Sequence, residues 1–271
     1  MSRTAVVGLG LIGGSFALAA GARGYDRDPD VRARARVQGI DAADSLEAAV
    51  AGAEIVVTAV PTEETPELLR VLSDLAPDAV LTDTASLKRP IVEAMAALPP
   101  ATRCVAGHPM AGARRRGIEA AAPEIFRGRP WVLVRTAHSD AGAMAAVSEL
   151  VAGIGARPVE LDAERHDHLM SWVSHLPHAV ASALAQAAGT AAGDDLARLA
   201  GPGLLDTTRL AGQPVALALE LALADPEALA GAIDAVSGQL GKLSTALRKR
   251  DSDAVRALFA QAEKIRRAID G

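Results

Sequence analysis

Aromatic side chains are scarce in this chain: three Phe, two Trp and one Tyr among 271 residues. Proteins that hold single-stranded nucleic acid stack its bases on aromatic rings, and this sequence has no such platform. A basic face is missing too. Lys and Arg number 28 against 33 Asp and Glu, for a net charge of -5. A nucleic-acid partner calls for the opposite balance. Cysteine occurs once, as Cys104. That excludes an intrachain disulfide and a thiolate metal cluster, and it fits a reducing, cytoplasmic setting. Apolar stretches such as Val215–Ala224 are far short of a membrane span. The first residues lack the apolar core of a secretory leader.

What is present is a core-forming composition, with half of the residues hydrophobic, and a clear rhythm. Short apolar strands are predicted at 4–7, 23–25, 55–60, 79–82, 104–106, 131–135 and 157–161. Helical patterns fall between them at 13–20, up to Val50 behind an Asp44 cap, and at 65–75, 89–98 and 140–154. Strand and helix alternating in this way imply an α/β, Rossmann-type, doubly wound parallel sheet. From residue 162 the pattern is helical only. One long helix is predicted over 162–188, free to bend at Pro177, with turns around Gly193, Gly201 and Gly212. The last helices are predicted over 226–250 and 252–269. The expected division is a dinucleotide-binding domain, 1–161, and an all-α helical domain for substrate and dimerisation, 162–271. Segments 215–224 and 228–236 are apolar around more of the helix than a small domain covers, which predicts a homodimer.

Three motifs carry chemistry. The first is Gly8-Leu9-Gly10-Leu11-Ile12-Gly13, after a strand and opening a helix. Gly8 suits the tight turn, Gly10 the close approach of a pyrophosphate, and Gly13 the packing of helix on strand. The amides of Leu11 and Ile12 then face the negative charge. Asp26 ends the second strand and suits the ribose hydroxyls of NAD, while Arg27 beside it suits a 2'-phosphate; the acid favours NAD. Asp26 lies only 13 residues after Gly13, so the first crossover is short against the usual spacing of about 20. Val60 and Pro61 after the third strand and Thr84 after the fourth complete the expected cofactor contacts.

The second motif is Gly107-His108-Pro109-Met110-Ala111-Gly112. It presents an imidazole on a loop at a strand end, where open α/β sheets bind ligands, and a neutral imidazole suits proton removal during hydride transfer. Ser86, in Asp83-Thr84-Ala85-Ser86-Leu87-Lys88, either orients that histidine and a substrate hydroxyl or caps the helix that follows. The third is His166-Asp167-His168 with Ser174-His175-Leu176-Pro177-His178. These histidines lack metal-ligand spacing, so no metal is expected. Arg209, in Asp206-Thr207-Thr208-Arg209, either clamps a carboxylate with its planar fork or lies in solvent.

Together these segments resemble the prephenate/arogenate dehydrogenase family. The matching pieces are GLGLIGGS, GYDRDP, TDTASLK, GHPMAG, HDHLMSWVSHLPHA and DTTRLA, which span nearly the whole chain. The resemblance implies NAD-linked oxidative decarboxylation of prephenate to 4-hydroxyphenylpyruvate in tyrosine biosynthesis. It implies that His108 takes the ring-hydroxyl proton, with Ser86 touching both hydroxyl and histidine. His178 and Arg209 would line the substrate site, with Ser174 and His175 of the same motif beside them, and Asp167 would stand near the entrance. It also implies an interdomain active site, a dimer built on the helices, and a minimal member without mutase or regulatory domains. Arogenate or an amino-substituted prephenate is the alternative substrate, and a non-catalytic dinucleotide sensor the alternative class. Two departures stand out. Ala113-Arg114-Arg115-Arg116 follows GHPMAG where the family places a small or hydroxyl residue and an acid, and Val215–Ala224 follows DTTRLA without the usual tryptophan. Cations at Arg114 favour the doubly anionic prephenate over arogenate, which carries its own ammonium.

Overall fold

The computed structural model describes residues 3–112 and 117–270. The chain forms two compact units, Met1–Asp167 and His168–Gly271.

The first unit is built on seven strands: β1 Thr4–Val7, β2 Arg23–Tyr25, β3 Ile55–Thr58, β4 Val80–Asp83, β5 Arg103–Pro109, β6 Pro130–Val134 and β7 Arg157–Leu161. Their order across the sheet is β2-β1-β3-β4-β5-β6-β7. β1, β3 and β4 are buried along their whole length, as strands covered on both faces must be, and they read as mostly apolar runs for that reason. Helices α1 Leu11–Ala20, α2 Pro29–Val37, α3 Leu46–Val50, α4 Thr65–Leu75, α5 Arg89–Ala96 and α6 Ala141–Gly153 connect the strands. Phe16 of α1 and Met144 and Val147 of α6 pack with Trp131 and Leu133 on one face. Leu69 and Leu72 of α4 and Ile91 and Met95 of α5 cover the other. β1 has β2 on one side and β3 on the other, so the loop after β1 opens at the point where the winding reverses, the usual ligand crevice.

The wholly parallel sheet expected from the rhythm is corrected at one pair: β5 and β6 run antiparallel, and every other pair is parallel. The described residues between them form two short 3-10 turns, Ile118–Ala120 and Pro123–Phe126. Among the described residues no crossover helix carries the chain back to the starting edge, and an antiparallel return needs none. Helix α2 has no counterpart in the sequence reading. The Asp28 carboxylate accepts the Asp30 amide and Pro29 opens the first turn, a strong start signal that the charged face obscured. Helix α3 is capped by Ser45, which accepts the Ala48 amide. Asp44, expected as the cap, pairs instead with Arg36.

Helix α7, Ala163–Met170, runs across the division between the units. The described part of the second unit is entirely helical, with α8 Leu176–Ala192, α9 Leu196–Leu199, α10 Pro202–Thr207, α11 Val215–Ala224, α12 Pro226–Lys249 and α13 Ser252–Asp270. The single helix expected over 162–188 is broken by a π-helical turn, Ser171–His175, in which the Leu176 amide donates to the Ser171 carbonyl. Pro177 cannot donate a backbone hydrogen bond, and the helix widens in the turn just before it. Leu176, Leu229 and Ala232 form the buried apolar cluster of this unit. Val215, Leu219 and Leu223 of α11 and Leu240 and Leu247 of α12 stand exposed. No helix among the described residues is long and apolar enough to cross a membrane.

Candidate active site

The loop after β1 is shaped for a diphosphate. Gly8 has φ of +97°, and a Cβ there would lie 2.4 Å from the Ala59 carbonyl oxygen. A Cβ on Gly13 would lie 1.8 Å from the Gly8 carbonyl oxygen, so only glycine lets α1 approach this closely. Around Gly10 the space is open. Helix α1 starts there without a side-chain cap, which leaves its first-turn amides, including those of Leu11 and Ile12, free of intrahelical partners and aimed at an anion. Asp26 ends β2 against this loop. Its Oδ2 accepts the Leu9 amide at 2.8 Å and its Oδ1 the Asp28 amide at 2.9 Å. The short crossover therefore still delivers the acid, because α1 spans ten residues and β2 three. Arg27 is engaged: its two terminal nitrogens donate to Glu64 at 3.0 and 3.1 Å. Val60 and Pro61 follow β3, and the Thr84 hydroxyl donates to the Thr58 carbonyl at the adjacent strand end. The glycine cradle, the bare helix start and the carboxylate at the end of β2 fit a dinucleotide.

His108 lies three strands along the sheet from β1, near the end of β5. Its Nδ1 is 2.8 Å from Nε2 of His166, and the rings meet edge to face. Nδ1 of His166 is 2.7 Å from Oδ1 of Asp167. His166 is fully buried and Asp167 is 3% exposed. Both oxygens of Asp167 are occupied. Oδ1 also accepts the Lys88 amide at 2.8 Å, and Oδ2 accepts the Arg89 amide at 2.9 Å and Arg89 Nε at 3.3 Å. Burial works against this charge, but the His166 hydrogen bond and the Arg89 and Lys88 amides overcome it and hold the pKa at about 2. Asp167 is therefore not the entrance acid expected from the sequence. It is a buried cap on the start of α5, and its carboxylate is spent on that helix and on His166.

Behind the loop lies a second buried charge pair. Lys88 Nζ donates to Asp83 Oδ2 and to the Gly107 carbonyl, each at 2.5 Å, and the Gly107 amide donates to Asp83 Oδ1 at 2.8 Å. Burial pushes the Lys88 ammonium below its usual range, and the Asp83 carboxylate opposes that. The pair clamps the residue before His108 by both its N–H and its C=O. Ser86 is half-buried, and its side chain forms no hydrogen bond among the described residues. The capping role considered for it belongs to Asp167.

In the second unit, Ser174 and His178 are half-buried and His175 is buried. His178 has its pKa lowered by burial and then by the positive charge of Arg209, which keeps the ring neutral. Arg209 opens a 3-10 turn, Arg209–Gly212, packed on α8, and is itself exposed. Arg114, expected at the substrate carboxylates, lies outside the described residues.

Comparison with known proteins decides the family. The profile of the prephenate dehydrogenase nucleotide-binding domain matches residues 19–160, and that of the prephenate dehydrogenase dimerization domain matches 162–261. The chain belongs to the prephenate dehydrogenase family. A prephenate dehydrogenase of Lactococcus lactis is 32% identical over 289 residues, covering all of this chain and 78% of the relative. The structure of prephenate dehydrogenase from A. aeolicus in complex with hydroxyphenyl propionate and NAD+ superposes with a TM-score of 0.86 at 28% identity, covering 100% of this chain and 99% of that one. Synechocystis arogenate dehydrogenase gives a TM-score of 0.82 at 28% identity, covering 98% and 99%. The protein is thus an oxidoreductase of this family with a nucleotide-binding and a dimerization domain.

The sequence reading brought out the glycine loop, Asp26 and His108 but missed His166, Lys88 and Asp83. All three stand inside motifs it singled out. The signal for Asp83 and Lys88 was two opposite charges flanking an apolar strand end, since charges in such a place must pair to be buried. The signal for His166 was its pairing with Asp167 in sequence, weighed only as a metal ligand.

Proposed function

We propose that this enzyme catalyses NAD-dependent oxidative decarboxylation of prephenate to 4-hydroxyphenylpyruvate, as a homodimer. The observation that carries the reading is His108, held at a strand end by a buried imidazole and carboxylate on the same sheet edge as the glycine cradle. His108 takes the proton of the ring hydroxyl as the carbon bearing it loses hydride, and the ring carboxylate leaves as carbon dioxide. NAD+, when bound, supplies the hydride acceptor. Gly8, Gly10, Leu11, Ile12 and Gly13 hold its diphosphate, and Val60, Pro61 and Thr84 border its path along the strand ends. Asp26 accepts the ribose hydroxyls. Glu64 neutralises Arg27, so both acids work against a 2'-phosphate. Ser86 contacts the substrate hydroxyl. Arg209 and a neutral His178 hold substrate carboxylate, with Ser174 and His175 beside them. Aromatisation drives the step, so orientation and proton handling are most of what the protein must supply.

Prephenate is preferred to arogenate because the sequence after GHPMAG offers Arg114, Arg115 and Arg116 and no acid before Glu119. Cations there favour the dianion by about 1.4 kcal/mol, roughly tenfold. Steady-state assays with prephenate and arogenate, each against NAD and NADP, test the whole reading. The expected result is the highest kcat/KM for prephenate with NAD. Equal or better use of arogenate, or of NADP, overturns the corresponding half.

A further inference from the structure

Three atoms in line behind His108 constrain where its protons sit. A carboxylate can only accept, so the proton between Asp167 Oδ1 and His166 Nδ1 is on the histidine. A neutral His166 then has a bare Nε2, and it faces His108 Nδ1 at 2.8 Å. One proton lies between the two rings, and with His166 neutral it is on His108 Nδ1. The remaining nitrogen of His108, Nε2, is left with its lone pair. An isolated neutral imidazole ordinarily prefers the other tautomer, with the proton on Nε2, which cannot act as a base from that atom.

We propose that His166 and Asp167 are positioning residues that hold His108 in the Nδ1–H tautomer and let the pair of imidazoles, rather than His108 alone, store the substrate proton during turnover. This rests on the reaction proposed above, in which the hydroxyl proton must be held between its removal and its return to the phenolate. Prephenate dianion and NAD+ give 4-hydroxyphenylpyruvate anion, carbon dioxide and NADH, with no net proton released. The hydroxyl proton moves to His108 Nε2 as hydride leaves the same carbon, and the oxygen becomes a carbonyl. The ring carboxylate then leaves as carbon dioxide, its C–C electron pair enters the ring, and the resulting phenolate takes the proton back. In the interval the Nδ1 proton of His108 moves across to His166 Nε2. That leaves a neutral His108 and an imidazolium beside the Asp167 carboxylate. The movement reverses when the phenolate needs its proton.

The charged groups of the same unit that face the pair favour this arrangement. Lys88 and Asp83 neutralise each other, and Lys88 Nζ is spent on Asp83 and the Gly107 carbonyl. Arg89 donates to Oδ2 of Asp167, which leaves Oδ1 to His166 and the Lys88 amide. The low pKa of Asp167 keeps it an acceptor throughout the working range.

The test reads the resting full-length protein first. With histidine labelled by 15N, long-range 1H–15N correlation distinguishes the two neutral tautomers, and His108→Gln assigns the His108 ring among the six histidines. The expected pattern is a proton on Nδ1 and a bare Nε2, reverting to the Nε2–H form in His166→Phe. A wild-type His108 carrying its proton on Nε2 overturns the proposal. The second arm is His166→Gln, whose amide oxygen accepts from His108 Nδ1 but cannot take the proton. It should keep KM within about twofold, lower kcat on the order of tenfold and move the acid limb of kcat/KM. Unchanged kcat and an unchanged pH profile also overturn it. The tautomer needs no substrate, so it decides this point even if neither prephenate nor arogenate is turned over.

Discussion

His108 and Arg27 show how the side chains behind a residue decide what it does. His108 stands within the last residues of β5, paired with Val132 of β6 and aligned from behind, so its removal should strike the chemical step. His108→Asn is expected to lower kcat on the order of 10²-fold or more with little change in KM. The wild-type fall in kcat/KM toward acid pH, in the range where imidazoles take up a proton, should disappear in the variant. Stopped-flow and steady-state measurements of NADH formation across pH check both. Arg27 has the charge to welcome a 2'-phosphate, but Glu64 holds it in a two-point pair. Glu64→Gln keeps the shape and removes the charge. The ratio of kcat/KM for NAD over NADP should fall on the order of tenfold, since an exposed guanidinium then faces the phosphate. An unchanged ratio would place the discrimination on Asp26 alone.

Helix α5 owes its start to a residue 79 positions later in the chain, because Asp167 accepts both the Lys88 and Arg89 amides. The cap carries a pH signature. The folded pKa of Asp167 is depressed to about 2 from the usual 3.8 of an aspartate. Its contribution is therefore fully present above about pH 4 and is lost as pH falls toward 2, an effect of about 2 kcal/mol. In urea unfolding, Asp167→Asn should be less stable than the wild type at pH 5, and the gap should close by about that amount near pH 2. Such a cap is illegible in sequence, since helix-start signals are sought beside the helix. Local signals served better: β7 and α4 fall where apolar runs and periodicity put them. Helix α2 was missed because only Ala35 of its nine residues is buried, leaving no apolar stripe to read. The π-helical turn was missed because Pro177 predicts a break without saying how the backbone accommodates it. The antiparallel β5–β6 pair was missed because strand direction depends on the connection, not on the strand.

At the scale of the molecule, the helical unit is short of interior. Leu176, Leu229 and Ala232 are a small cluster for a unit of this length, while Val215 is 81% and Leu223 63% exposed. Exposed apolar faces on a thinly cored unit are the kind of surface that association covers, which predicts a dimer. Sedimentation at low micromolar concentration should give a single dimeric species, and exposed Leu223→Glu should shift it toward monomer. A stable monomeric wild type would count against the dimer. The place of α7 in the chain has one more consequence, for the order in which the enzyme becomes competent during synthesis. The seventh strand closes the sheet at Leu161, yet the two groups that align His108 arrive only with His166 and Asp167. A growing chain folds from its N-terminus, so this one completes its β-scaffold before the two side chains that line up behind His108 have been made. A nascent chain with a finished sheet therefore lacks the proposed alignment of His108 until the next helix emerges.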